Sequence, residues 1–392
     1  MAAEWKAEPS VSMNISQNDN IHMSSTNEES ATGYTLAPGL SLSGQEINWN
    51  VLLDANLRAV RYSGVEDVDS NNGSLSFLNK YSTERQSWRL NASYVKNTTL
   101  DTSPETQSAD AGIGEDQRDQ KDTEIAPGWS WSVSRLQQID VSYTLAHSET
   151  EGTSTIASSE YDTNKVSLGY SYQLAENKDL SVFASIEKFD SNTTSFEYEQ
   201  PALYVQYNHK LNESDKITFL VGAWKLDAVF HNELIGCDFV FAGQCVLNPV
   251  YGDVENTNNG TLYDVSYFTY GELTDLTFGI NSTVIPNRYG GAQQKDLIKF
   301  TLLYRISPRH NFNFYMDAYE TETIEGNILS AAQDRKQFRV KPSYIWRLNK
   351  DWVLGASYQF VKHEYTLSGL ESDSNAFYIN LNMTWPRLAS TY

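Results

Sequence analysis

The chain has 392 residues, of which 40% are hydrophobic, and its mean hydropathy is -0.49. No run approaches the ~20 consecutive apolar residues that a membrane-spanning helix needs, so the composition excludes a helical membrane protein. Lysine and arginine number 29 against 50 aspartates and glutamates, and this formal net charge of -21 argues against nucleic acid as a partner.

Eight short polar turns interrupt the chain, and each is flanked by stretches in which apolar and polar residues alternate. After Glu46, for example, Trp49 and Val51 alternate with Asn48 and Asn50. A period of two predicts a strand with one apolar and one polar face. The predicted turns are Ser43–Glu46, Ser82–Arg85, Arg135–Gln138, Ala175–Lys178, Asn212–Asp215, Gly271–Thr274, Ser307–His310 and Leu348–Asp351.

Between these turns the alternation predicts eighteen strands, joined alternately by short turns and long loops. This pattern is typical of a transmembrane antiparallel β-barrel, whose strands need only ~9–11 residues to cross and are even in number. We predict one all-β barrel domain over residues 1–392, with eight periplasmic turns, nine extracellular loops and both termini in the periplasm. Because 75–81 and 216–271 are the least regular regions, sixteen strands is the alternative. The predicted strands are 5–17, 32–43, 47–62, 74–82, 86–97, 127–135, 138–148, 161–174, 179–190, 198–210, 216–230, 261–271, 275–285, 296–306, 311–323, 335–347, 351–364 and 374–386.

The aromatic content and the start of the chain bear on location. The 24 tyrosines, 16 phenylalanines and 9 tryptophans would form girdles at both lipid interfaces of such a barrel. We therefore expect the bacterial outer membrane, with its lipids and lipopolysaccharide as the surroundings. The start Met1-Ala2-Ala3-Glu4 lacks the charged and apolar regions of a signal peptide, so we expect a mature chain whose signal peptide has been removed.

Four prolines recur in strands that descend toward predicted periplasmic turns. Pro38, Pro127, Pro201 and Pro342 each stand two residues before a large apolar residue. A proline cannot donate to a ladder and usually marks a bulge or a strand start. We interpret the four as a repeated local kink inherited from hairpin duplication.

Several strand and turn patterns recur along the chain, and they lie in Ala126–Ser132, Ile139–Tyr143, Val166–Leu174, Asp179–Val182, Asn18–Asn20 and Pro38–Gly39. These segments resemble the repeats of a bacterial outer-membrane β-barrel porin family associated with exopolysaccharide biosynthesis and export. The resemblance spans most of the chain and implies a barrel for polysaccharide traffic, but its motifs carry no catalytic signature and do not identify the substrate.

The more polar face of each strand would line the lumen if the apolar face meets lipid. That polar face carries amides, mixed charges and tyrosines, which can hydrogen-bond to sugars and stack on them. Bracing the wall of a water-filled barrel is the alternative role for most of these side chains. The lumen-lining candidates are Asp54, Arg58, Arg89, Glu187, Tyr204, Arg305, Tyr315, Asp317, Tyr319, Arg339, Lys341 and Arg347.

Cys237 and Cys245 lie in one predicted extracellular loop. An oxidising compartment favours a local disulfide between them, with two free thiols as the alternative. The six histidines are scattered and form neither an HExxH motif nor a triad-like cluster, so we predict no enzymatic activity, no cofactor and no metal site. Between Asp101 and Glu124, eight acidic residues stand against two basic ones, and this segment would favour neutral or cationic solutes at low salt.

Three functional hypotheses remain. The first is an outer-membrane pore that secretes an exopolysaccharide, with the polysaccharide chain and a periplasmic export partner as its partners. The second is a general or sugar-selective diffusion porin. The third is a barrel scaffold or adhesin that acts through its loops.

Overall fold

The structure is a computed structural model that describes residues 4–65, 68–98, 119–151, 158–192, 195–236, 239–241, 244–247, 250–287, 291–325, 334–385 and 388–391. Its strands are β1 (Glu4–Asn18), β2 (Ala31–Gln45), β3 (Trp49–Ser63), β4 (Ser70–Ser82), β5 (Gln86–Thr98), β6 (Asp119–Ser132), β7 (Gln137–Thr150), β8 (Ser159–Ala175), β9 (Lys178–Ser191), β10 (Phe196–Lys210), β11 (Asp215–Gly236), β12 (Phe239–Phe241), β13 (Gln244–Leu247), β14 (Val250–Tyr270), β15 (Thr274–Asn287), β16 (Gly291–Ser307), β17 (His310–Glu325), β18 (Arg335–Arg347), β19 (Trp352–Tyr365), β20 (Glu371–Thr384) and β21 (Leu388–Thr391). Among the described residues, no helix has the length and apolar character needed to cross a membrane.

Eighteen strands, β1–β11 and β14–β20, form one closed antiparallel sheet. Consecutive strands pair with each other, β11 pairs with β14, and β20 pairs with β1 from Ser10↔Thr384 to Asn18↔Ala376. Because closure pairs every strand on both sides, the sheet has no free edge. At ~4.8 Å between strands tilted by about 40°, eighteen strands give a backbone diameter of ~35 Å. The predicted eighteen-stranded barrel is confirmed, and the sixteen-stranded alternative is wrong.

The three remaining strands are short. β12 pairs only with β13 among the described strands, in the segment between β11 and β14. β21 pairs with the first residues of β1, from Glu4↔Thr391 to Ala7↔Leu388.

Eight connections of two to four residues join the strands at one end of the barrel, which we call the turn end. Side chains close several of them. Asn212 Oδ1 accepts hydrogen bonds from the backbone N–H groups of Ser214 and Asp215 at 2.8 and 2.7 Å. Asn349 Oδ1 does the same for Asp351 and Trp352. In these Asx-turns the asparagine contacts residues only two and three positions further along the chain, which explains why the sequence predicts them.

Strand boundaries differ from the prediction mainly at the opposite end, which we call the loop end. β6 begins at Asp119 rather than 127, and β14 begins at Val250 rather than 261. The added stretches are rich in polar residues, and that of β14 also packs Val254 against a small apolar core. Neither stretch therefore shows the alternation that would reveal a strand.

The outward face carries an apolar band that ends in tryptophans at the turn end. Ile15, Leu57 and Val221 are 54, 67 and 63% exposed on this face, as lipid contact requires. At the turn end, Trp5 packs edge-on against Trp49 with ring centroids 5.8 Å apart. Indole rings prefer the membrane interface, so the turn-end girdle marks one boundary of the bilayer.

At the loop end, the outward face changes from apolar to charged. Ion pairs of 2.6 to 3.4 Å lie there on β5–β7, β9–β11 and β17–β20, five of them between neighbouring strands and one within β11, and we call this set the charged belt. It marks the other boundary of the lipid-facing band, because exposed charges are excluded from the bilayer interior. The belt includes Lys96–Asp119, Lys121–Glu149, Lys188–Glu199, Lys225–Asp227, Lys336–Glu320 and Lys362–Glu371.

At each of the four prolines, the backbone pairing between its strand and the following strand is interrupted. On β2, the pairs Leu36↔Ala59 and Gly39↔Asn56 flank Pro38, and the two residues between them have no partner on β3. Pairing resumes in the same register, so the feature is a ladder gap and not a bulge with an inserted residue. The same gap occurs at Pro127, Pro201 and Pro342.

Candidate functional site

Alternation along each strand separates the inward face of the barrel wall from its outward face. On β1, Asn14 and Ser16 border an internal cavity of about 550 Å³, whereas Ile15 between them is exposed on the outside. Hydroxyl, amide and cationic side chains of β1–β5 and β18–β20 surround this cavity. The inward face is therefore polar and the outward face apolar, as a water-filled barrel in lipid requires.

Of the twelve lumen-lining candidates, Arg58 and Lys341 border this cavity and the others have inward parity on their strands, and that they line a conducting lumen stays a prediction. Two of them lie close to the turn end: Arg347 ends β18, and Arg305 binds the Asp275 carboxylate and the Gly271 carbonyl. Arg305 therefore braces a turn. The other ten lie further along the wall, and they are Asp54, Arg58, Arg89, Glu187, Tyr204, Tyr315, Asp317, Tyr319, Arg339 and Lys341.

The strands β16–β18 bring cations and tyrosines together. Arg339 donates two hydrogen bonds to the Asp317 carboxylate, at 2.9 and 2.7 Å, and a third to the Tyr315 hydroxyl at 3.2 Å. The Arg339 and Asp317 side chains are only 4 and 5% exposed. Lys299 is exposed on the same inward face, with its Nζ 5.5 Å from the centre of the Tyr315 ring. We call Lys299, Tyr315 and Arg339 the lower cationic layer.

A second layer repeats this arrangement four residues away on each strand, toward the loop end. Lys295 Nζ lies 4.3 Å and Arg335 Cζ 5.7 Å from the centre of the Tyr319 ring. Arg335 Nε also donates to the Tyr319 hydroxyl at 3.0 Å. We call Lys295, Tyr319 and Arg335 the upper cationic layer. A cation over the face of a ring is attracted by the ring quadrupole, so each tyrosine is held between two cations.

Carboxylates also line the inner wall on β7 and β9, and β7 lies across the lumen from β18, nine strands away in a ring of eighteen. On β9, Glu187 accepts from Lys165 at 3.0 Å and from the Tyr198 hydroxyl at 3.1 Å. On β7, Asp140 accepts from the Ser130 hydroxyl at 2.6 Å and from the Gln138 amide at 2.8 Å. The inward face of the described wall therefore carries both signs of charge, and cations and carboxylates occur together in pairs such as Lys165–Glu187 and Arg339–Asp317.

Two half-buried rings lie along the wall on β9 and β10. Phe183 and Tyr204 stack with centroids 5.1 Å apart and an interplanar angle of 21°. A Cβ on Gly169 would come within 2.7 Å of the Phe183 ring, and a Cβ on Gly222 within 2.4 Å of Tyr204 Cβ. The two glycines therefore leave the space that the ring pair occupies. We call Phe183 and Tyr204 the aromatic platform.

Sequence reasoning missed four residues of the cationic layers and the aromatic platform. Lys295 and Lys299 share the inward parity of Arg305 on β16, Arg335 shares that of Arg339 on β18, and Phe183 shares that of Glu187 on β9, so periodicity alone could have found them. Their proximity to Tyr319, Tyr315 and Tyr204 could not have been found, because cross-strand register sets it.

At the loop end of β8–β11 the inward face is apolar. Phe189, Phe196 and Leu226 are almost fully buried in a cluster with neighbouring aromatic rings. Elsewhere, Met23, between β1 and β2, packs on Val361 of β19. The apolar cluster of β8–β11 explains why apolar and polar residues do not alternate regularly in 216–271, because part of this region packs into a small core.

The predicted disulfide stays a prediction, since Cys237 lies outside the described residues and Cys245 is described by its backbone alone. Within the described ranges, no group of three or more histidine, cysteine, aspartate or glutamate side chains is placed to hold a metal ion.

Solved structures with the same fold are outer-membrane proteins. The chain is similar to the ferric-catecholate import receptor Fiu from Escherichia coli K12, with a TM-score of 0.50, 8% identity and coverage of 96% of this chain and 81% of that one. It is similar to the siderophore receptor PiuA from Acinetobacter baumannii, with a TM-score of 0.50, 7% identity and coverage of 96 and 82%. OpdQ from Pseudomonas aeruginosa covers 98% of both chains, at a TM-score of 0.49 and 10% identity. No family model and no curated protein sequence matches the chain.

The closed barrel, its lipid-facing band and its structural neighbours make this chain an outer-membrane β-barrel, and the predicted location in the bacterial outer membrane is confirmed. The turn end is then periplasmic and the loop end extracellular. At these identities the neighbours show the fold alone. The resemblance to an exopolysaccharide-associated family stays a prediction.

Proposed function

We propose that this barrel is the outer-membrane conduit through which an exopolysaccharide leaves the cell. The observation that carries the proposal is the aromatic platform. Phe183 and Tyr204 present half-buried rings to the lumen, and Gly169 leaves room for Phe183 to lie along the wall. A sugar ring has an apolar face of C–H groups, so an aromatic ring along the wall offers it a surface of matching shape and polarity.

Elsewhere on the inner wall, the cavity bordered by β1–β5 and β18–β20 offers weak and exchangeable contacts. Side chains such as Ser12, Asn380 and Gln359 border the cavity with hydroxyl and amide groups. The hydroxyls of a polysaccharide could exchange water for short-lived hydrogen bonds to these groups. Conduction requires binding weak enough to permit release, and a wall of many equivalent polar groups satisfies this requirement.

The driving force would come from polysaccharide synthesis or from a periplasmic export partner. The eight short turns at the periplasmic end form the surface nearest to such a partner. Family resemblance of the strand motifs favours the same assignment.

A sugar-selective or general diffusion porin is the second candidate. The charged pairs of the inner wall favour it, because neighbouring cations and carboxylates such as Lys165 and Glu187 can orient small polar solutes as they pass. Such a porin would affect the uptake of small molecules and leave surface polysaccharide unchanged.

Deleting the gene in its native host separates the two functions. We expect loss of surface polysaccharide with normal uptake of small sugars. Normal polysaccharide with impaired sugar uptake would overturn the conduit in favour of the porin.

Complementation then tests the platform. The double variant Phe183→Ala, Tyr204→Ala should restore export only in part, since an aromatic contact of ~0.5–1.5 kcal/mol corresponds to about a 2- to 12-fold change in affinity. The matched control is Tyr170→Ala, Tyr172→Ala, which removes two rings from the outward face of adjacent β8. Equal export by the two double variants would count against the platform.

A further inference from the structure

The cavity bordered by β1–β5 and β18–β20 has a wall that glycines make concave. A Cβ on Gly33 would come within 2.8 Å of Tyr62 Cε1, and a Cβ on Gly355 would overlap Asn380 Oδ1. Tyr62 and Asn380 both border the cavity, so each side chain lies along the wall over a glycine. A wall that only has to be polar does not need such close approach, whereas a binding site gains depth from it.

Two tyrosines stand at the ends of one row in this wall. Cross-strand pairing places Tyr378, Ser16, Gly33 and Tyr62 in sequence on the neighbouring strands β20, β1, β2 and β3. At ~4.8 Å between strands, the two tyrosine backbones are ~14 Å apart, and only small residues lie between them. Both tyrosines are half-buried and border the cavity. We call this row the tyrosine slot.

Amide groups line the turn-end side of the tyrosine slot. Asn14 and Asn380 are direct cross-strand partners there, and Asn14 Oδ1 is buried without a hydrogen-bond partner among the described residues. Of the described residues that border the cavity, the charged ones are Arg58 and Lys341, and none is a carboxylate. Both cations already interact with other groups of the protein, and Lys341 Nζ lies 5.4 Å from the centre of the Tyr378 ring. Amides therefore offer both donors and acceptors to a ligand rich in hydroxyl groups.

The connection between β1 and β2, residues 19–30, covers the loop-end side of the tyrosine slot. Ile21 of this connection is 4% exposed, borders the cavity and packs in a cluster with Tyr62. Asn20 anchors the connection to β20, because its Nδ2 donates to the Asp373 carbonyl at 2.9 Å. The slot is thus closed toward the extracellular side by a segment that hydrogen bonds hold in place.

We propose that the tyrosine slot is a binding site for a short saccharide segment, recognised through ring faces and hydroxyl groups and not through charge. This inference rests on the proposed conduit function and adds to it a defined subsite in the extracellular half of the wall. The C–H face of a sugar would stack on Tyr62 or Tyr378, while its hydroxyls exchange hydrogen bonds with Asn14 and Asn380. The cavity of about 550 Å³ is of the size that small-molecule sites have.

The test is a binding titration followed by saturation-transfer NMR, with the full chain in detergent micelles and maltotriose, cellotriose and chitotriose as probes. We expect at least one probe to bind in the millimolar range, with the same affinity at low and high salt. Tyr62→Ala should weaken binding by about 2- to 12-fold, the effect of one aromatic contact. The matched control is Tyr34→Ala, which removes a ring from the outward face of β2 and should bind as the wild type does.

The double variant Asn14→Ala, Asn380→Ala tests the amides and replaces Tyr62→Ala if that protein does not show heat-modifiable migration on gels. We expect it to weaken binding by about fivefold.

Binding of none of the three probes, loss of affinity at high salt, or equal affinity of the slot variants and Tyr34→Ala would overturn the tyrosine slot. These results leave the conduit standing, because surface polysaccharide in the deletion strain decides that function. If the deletion strain keeps its polysaccharide while the slot binds a probe, the slot belongs to a sugar-selective porin and the conduit is wrong.

Discussion

The cationic layers and the aromatic platform both present tyrosine rings to the lumen, but they hold them by different means. In the layers, Tyr315 and Tyr319 are fixed by cations above and beside the ring. In the platform, Tyr204 is accommodated by Gly222, whose missing side chain leaves the necessary space. The layers therefore depend on a buried charge balance, whereas the platform depends on volume. Different substitutions should damage each region.

The comparison assumes that both regions border the same aqueous space, and cysteine labelling tests this with an all-or-none result. In a background with Cys237→Ser and Cys245→Ser, Asn313→Cys on β17 and Gln206→Cys on β10 should react with a water-soluble maleimide in lipid vesicles. Asn313 and Gln206 have inward parity, so water reaches them.

The matched controls are their neighbours in sequence, Phe314→Cys and Val205→Cys, which face lipid and should not react. Labelling of the controls, or protection of Asn313→Cys or Gln206→Cys, would contradict the assignment of the two faces.

Removal of Asp317 should give the largest energetic effect. Asp317→Ala removes the carboxylate from a buried bidentate pair with Arg339, and breaking a buried ion pair lowers the free energy of unfolding by ~3–5 kcal/mol. Urea unfolding of the barrel in lipid vesicles, followed by tryptophan fluorescence, measures this change. The control is Asp140→Ala, where hydroxyl and amide donors replace the guanidinium and the expected loss is only ~1 kcal/mol. Equal losses of unfolding free energy in Asp317→Ala and Asp140→Ala would show that burial of the Asp317–Arg339 pair has no special role.

The platform should be sensitive to volume. A methyl group on Gly222 would meet the Leu203 carbonyl at 2.6 Å as well as Tyr204, so Gly222→Ala should lower the free energy of unfolding by ~1–3 kcal/mol. Gly279→Ala on β15 is the matched control. The nearest atoms to a Cβ at that site are 3.9 Å away, so a change below ~0.5 kcal/mol is expected. If Gly222→Ala and Gly279→Ala lower the free energy of unfolding equally, close packing at Gly222 does not position the two rings.

The smallest effect should come from an ion pair that is exposed. Lys188 and Glu199 of the charged belt are 2.9 Å apart, with side chains 65 and 48% exposed. Lys188→Ala should change the free energy of unfolding by only ~0.2–1 kcal/mol and by less at high salt. A loss comparable to that of Asp317→Ala would mean that charge itself, and not burial, decides the stability of these pairs.

Much of the fold could be predicted because its signals are local. Period-two alternation set the strands from β1 to β20, and asparagine-closed turns such as those at Asn212 and Asn349 set their connections. Prediction was least accurate where the local signal is missing. The loop-end part of β11 packs Leu226 and Phe230 into a small core, and the loop-end part of β14 packs Val254 against it, so neither shows a simple alternation.

In the candidate site, too, only the features that depend on local sequence could be predicted. Parity placed Tyr315, Asp317 and Arg339 on the inward face, because the face of a residue depends only on its own strand. Parity could not show that Arg339 pairs with Asp317 or that Lys299 lies over Tyr315. Those facts depend on the register between strands and on the order in which eighteen of them close into a ring. The sequence by itself determined which side chains face the lumen, and only the tertiary structure decided which of them meet, since contacts across strands join residues far apart in the chain.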